Sequence, residues 1–195
     1  MKVSASSSGQ ILLYIGLLGF ALLGLLQRKP SSGYELRKVF TDTPMGTFSD
    51  SPGAIYPALR RLEKGKLIRG RVEKTSELRQ RKIFRPTSAG FSALSAWLTQ
   101  PVGRADVVHR INELMLRFAF LDTAAGESAT VAFLQSLHAE LSSYIPTLKQ
   151  FLATSVAKMP TSGRLALESG ILGYEARLVW ASRAIVTYRD KLKSR

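Results

Sequence analysis

Tyr56, Arg60, Arg61 and Lys64 recur at three- and four-residue intervals, and Lys74, Arg79, Arg81 and Lys82 follow a short way on. Guanidinium and ammonium groups gathered in this way have one general chemistry. They pair with phosphate oxygens, and arginine can also form a bidentate pair with a guanine edge. Residues 60–85 hold 11 basic and 3 acidic side chains, whereas the whole chain of 195 residues has 28 against 14, a net charge of +14. So lopsided a balance points to a polyanion as partner, and it places the contact in this stretch.

Chemistry of other kinds is poorly supplied. Cysteine is absent, which removes disulfides, thiolate nucleophiles and cysteine-ligated metals, and suits a reducing compartment with the cytoplasm as default. The histidines are His109 and His138, far apart in the chain and without metal-ligand spacing, and there is no glycine-rich phosphate loop. The expectation is a protein that is not an enzyme, with no catalytic residue, no metal and no cofactor.

The basic residues need elements to position them. Ser51-Pro52-Gly53 opens a helix over 51–64, with Ser51 as N-cap, Pro52 at the first position and Gly65 beyond the end. Ile55, Leu59 and Leu62 form its buried stripe, leaving Tyr56, Arg60, Arg61 and Lys64 outside; Pro57 is awkward six residues in and should strain the first turns. Upstream, Ser32 and Glu35 have capping-box spacing and start a helix running to about Phe40. Downstream, 67–73 and 81–86 read as two strands joined by the charged segment 74–80. Phe91, Leu94, Trp97 and Leu98 then share a helix face.

Helix, loop, helix and basic hairpin in this order make a helix-turn-helix with a wing. The run ILLYIGLLGFALLGLL at 11–26 becomes the domain's first helix. At sixteen residues it is short of the roughly 20 that a membrane span requires, so no membrane partner is expected.

The second half is helical throughout: 106–121, then 127–157 interrupted at Pro146, then 162–193. In the last helix Ile171, Leu178, Ile185 and Leu192 stand seven apart with Tyr174, Ala181 and Tyr188 between them, an a/d seam. Such a seam can pack within the chain or join two copies, and pairing suits a protein that reads DNA through one short helix. The expected fold class is therefore mainly α with a small β-hairpin. A flexible arm (1–10) leads into an N-terminal winged helix-turn-helix domain (11–100), followed by a C-terminal all-helical dimerisation domain (104–195).

Four segments together carry a family resemblance: FALLGLL from Phe20, SGYEL from Ser32, SPGAIYPALRRLE from Ser51 and RKIFRPTSAG from Arg81. The succession closely resembles the PadR family of bacterial transcriptional regulators. Through Asn112 to Phe118 and the last helix it is similar to the subgroup that includes virulence-gene activators. The resemblance departs at the added length of 11–19, at a wing tip without glycines, and at Ile83 and Pro86. It implies a homodimer on double-stranded DNA, more often a repressor than an activator, with small-molecule effectors in some members.

On this reading the helix 51–64 enters the major groove and the wing 67–86 meets the backbone or minor groove. Ser51, Gly53 and Tyr56 lie near base edges. Arg60 contacts guanine or phosphate, and Arg61 and Lys64 are phosphate contacts or solvated charges. Tyr56 has the alternative of packing under Pro57. Lys74, Arg79, Arg81 and Lys82 form the wing contacts. Trp97 and Trp180 could line an effector pocket, with core packing as the alternative.

Overall fold

The computed structural model describes residues 7–48, 52–76 and 79–194, and it divides into two compact units that meet in sequence at Leu98 and Thr99. Ser51 and residues 1–6 of the expected arm lie outside the described residues, whereas Ser7 to Gln10 are part of the first helix.

In the first unit, α1 (Ser7–Arg28) contains a break at Gly16, whose φ of 65° and ψ of 168° are not helical. Glycine reaches that conformation without steric penalty, which explains its place in an otherwise continuous apolar run. Beyond the break, Phe20, Ala21, Leu22, Leu23 and Leu26 are buried. Burial on nearly every side comes from packing against three elements: α3 (Ile55–Lys64), strand β3 (Arg79–Pro86) and helix α4 (Ser88–Leu98). Among the described residues no helix is long and apolar enough to cross a membrane.

A two-residue strand, β1 (Ser31–Ser32), leads directly into α2 (Gly33–Asp42). The capping box is formed as its spacing requires. The Ser32 amide donates to Glu35 at 2.7 Å, and the Glu35 amide donates to the Ser32 hydroxyl at 3.2 Å. β1 also pairs with β3, so the hairpin of β2 (Ile68–Ser76) and β3 becomes a three-stranded antiparallel sheet in the order β1-β3-β2. The added strand is too short for alternation to reveal it. The hairpin strands run further toward the tip than the expected 67–73 and 81–86, with an irregularity between Lys74 and Ser76.

Helix α3 starts later than the expected residue 51. A 3-10 turn at Pro52–Ala54 precedes it, and Ala54 caps it without a side-chain hydrogen bond. Pro57 therefore lies in the first turn, where its missing N–H costs nothing, and the anticipated strain does not arise. In α4, Leu94, Trp97 and Leu98 are buried but Phe91 is exposed, because buried Gly90, which approaches the Leu67 carbonyl, sets which face turns inward.

The second unit is all helical. α5 (Arg104–His109) and α6 (Ile111–Ala125) replace the single helix expected over 106–121; the break falls at Arg110, with φ −131° and ψ 29°. α7 (Glu127–Ser155) continues through Pro146 without interruption, and the proline lies on its exposed face, where the carbonyl that it leaves unbonded can turn to water. α8 (Thr161–Lys193) packs along α7.

Candidate nucleic-acid interface

Helix α3 is sharply two-faced. Ile55, Ala58, Leu59 and Leu62 are buried, whereas Tyr56, Arg60, Arg61 and Lys64 are exposed. The tyrosine is 43% exposed and its ring leans on α2: a Cβ added to Gly33 would come within 2.7 Å of Tyr56 Cε1. The side chain is thus placed by α2 and open to a partner at the same time. Gly53 is exposed in the 3-10 turn before α3.

The wing is fastened to both helices by carboxylates. Glu63, near the end of α3, accepts from Lys82 Nζ at 2.8 Å and from the Gly70 amide at 3.2 Å. Glu35, at the start of α2, lies 3.5 Å from Arg81. The Ser32 amide, then the Ser32 hydroxyl, hold the Glu35 carboxyl below the usual carboxylate range; burial opposes them, while Arg81 and Lys29 act in the same direction. Two of the four wing cations read from the sequence, Arg81 and Lys82, are therefore also tethers. Lys74 and Arg79 are located in β2 and β3 by their backbone, with side chains outside the described part. Neither carboxylate was singled out as a tether by sequence reasoning, since pairs 46 and 19 residues apart leave no local pattern.

The two tryptophans fall in different units. Trp97 is buried and stacked on Phe20 at 4.4 Å, and Trp180 meets Phe118 edge-on at 4.9 Å. Each belongs to the aromatic packing of its own unit. Among the described residues no group of histidine, cysteine or carboxylate side chains could hold a metal ion.

The seven-residue seam of α8 is turned inward for most of its length. Ile171, Ala181 and Ile185 are buried, and Tyr174, Leu178 and Tyr188 half-buried. Tyr174 meets Tyr144 edge-on at 5.3 Å, and the Tyr188 hydroxyl donates to Asp122 at 3.2 Å. These residues thus pack, wholly or in part, against their own chain, and Leu192 alone of the seven is exposed. A second stripe, Leu165, Leu172, Val179 and Val186, has the same spacing and each member is more than half exposed.

Helix-turn-helix, three-stranded wing and basic outer helix face define a winged-helix protein of the DNA-binding type. Residues 22–96 match the model of the transcriptional regulator PadR-like family. The chain is 26% identical over 141 residues to the negative transcriptional regulator PadR of Bacillus subtilis, a span of 71% of this chain and 76% of the relative. A 58-residue segment is 41% identical to the Escherichia coli transcriptional regulator YqjI, covering 30% of this chain and 28% of that one. Among solved structures, B. subtilis PadR in complex with operator DNA aligns with 21% identity and a TM-score of 0.40, over 87% of this chain and 97% of that one.

Proposed function

We propose that this regulator is a homodimeric, sequence-specific repressor that lays α3 in the major groove and the wing on the adjacent backbone or minor groove. The observation that carries the reading is the outer face of α3. It presents Tyr56, Arg60, Arg61 and Lys64 together, while the opposite face is anchored in the core. Phosphate contacts set the register of such a helix and base-edge contacts supply its specificity. Gly53, exposed in the turn before the helix, would approach the groove first. Repression is supported by the negative role named for the B. subtilis relative.

The dimer is assigned to the exposed stripe of α8. Apolar residues repeated every seven positions over three heptads fit a helix carrying the same repeat, and a second copy of this chain supplies one. A small-molecule effector remains part of the proposal through the resemblance to the PadR-like family, with Trp97 and Trp180 as its candidate lining.

Arg60→Gln tests the groove contact. If Arg60 reads guanine, the variant loses about 1–3 kcal/mol on its best site and discriminates less at one base pair. If affinity falls uniformly over all sequences, Arg60 is a phosphate contact. Unchanged binding to every duplex would remove α3 from the interface.

A further inference from the structure

Arg117 of α6 is 2% exposed, a guanidinium inside a helical core. It donates to the Gln100 carbonyl and lies over the Phe133 ring, 5.1 Å from the centroid. Burial lowers its pKa, Asp106 and Glu113 act in the opposite direction, and Arg110 acts with burial. Taking a cation out of water is costly, and a methionine of similar volume would fill the space between helices without that cost. The charge therefore has a use, and the backbone that it grips is the segment following α4.

That segment, residues 99–103, contains no helix or strand. It is nonetheless held almost residue by residue. Pro101 fixes its own φ and keeps Gln100 out of the helical region. Val102 is buried. The Gly103 amide donates to Asp106 Oδ2 at 2.8 Å, and the other oxygen of that carboxylate accepts from Arg110. Arg104 then donates to Glu140 at 3.1 Å and to the Ser143 hydroxyl at 2.6 Å, with its guanidinium over the Tyr144 ring. A flexible linker is rich in glycine and serine and makes few contacts. This one is a strut.

We propose that Arg117 is a positioning residue for the DNA contact: by holding Gln100 it stiffens 99–103, and in the dimer it restricts the spacing of half-sites that the two α3 helices accept. The inference rests on the dimeric reading given above. Moving one half-site by two base pairs turns it about 70° around the duplex, which a stiff linker cannot follow.

The test uses the inverted repeat that the wild-type chain selects from a library of random duplexes, the same repeat with its half-sites moved apart by two base pairs, and one half-site alone. Wild type should lose about a hundredfold in affinity on the shifted repeat, the gain of two-site engagement, and Arg117→Met about tenfold or less, with equal affinity for the single half-site. In parallel, because the chain has no cysteine, Ser92→Cys in α4 and Thr147→Cys in α7, both exposed, carry spin labels at those positions alone. With unlabelled chain in excess, the distance distribution within one chain should be narrow in wild type and broad in Arg117→Met. Pro101→Gly/Asp106→Ala frees the same segment without opening the core of α6 and should broaden it likewise. A variant as selective for spacing as wild type would overturn the role of Arg117, as would one weakened equally on all three duplexes, which marks damage to the fold. A wild type that selects only an unrepeated motif would overturn the dimeric reading and the spacing role with it. A narrow distribution in both variants would overturn the hold on the linker itself, whatever sequence the chain selects.

Discussion

Tyr56 and Gly33 occupy the same few ångströms, and Gly90 and Leu67 do so more tightly. A Cβ on Gly90 would come within 2.0 Å of the Leu67 carbonyl oxygen, which is backbone and cannot swing away, whereas on Gly33 it meets a ring with one open side. Gly90→Ala should therefore cost about 3 kcal/mol and Gly33→Ala about 1 kcal/mol, in the range for overpacking, as read by urea unfolding. The order of the two is the diagnostic point. Ser32 and Glu35 allow a second test at this scale. Glu35 has a folded-state pKa below its unfolded one, so its stabilising contribution is present above the unfolded value and is lost as pH falls through the folded value. Acid titration of stability should accordingly be shallower below about pH 4 in Glu35→Gln than in wild type. Equal slopes would mean that the capping box does not couple to folding.

At the scale of elements, the capping box, the buried stripe of α3 and the hairpin could be read from the sequence because each depends on neighbours a few residues apart. The start of α3 could not, since Ser51 and Pro52 are good opening residues wherever they occur, and only the fold selects the 3-10 turn. Two heptad stripes run along α8, one through Ile171 and Ile185 and one through Leu172 and Val186, and spacing alone does not say which faces α7. The packing separates their effects. Leu172→Glu/Val179→Glu should turn a dimer into a folded monomer in sedimentation experiments. Ile185→Ala should instead lower stability by about 2–4 kcal/mol, as core truncations do, with the dimer retained. A dimer that survives the glutamates would move the contact off this stripe.

At the scale of the molecule, the uneven charge was the most informative property of the sequence. It concentrates in 60–85, where the interface is proposed, although it did not distinguish cations open to a partner from cations used as tethers. Glu63 with Lys82 and Glu35 with Arg81 fix the wing to both helices of the helix-turn-helix, so a ligand meets one preformed surface. The central claim is that two such surfaces, one from each copy, read one DNA site. It is tested most directly by mixing the purified full chain with sheared DNA from its own source at near-physiological salt and sequencing the fragments it retains. An inverted repeat with half-sites about one helical turn apart is the predicted result. Retention of fragments that share no motif would contradict it and leave only a basic surface.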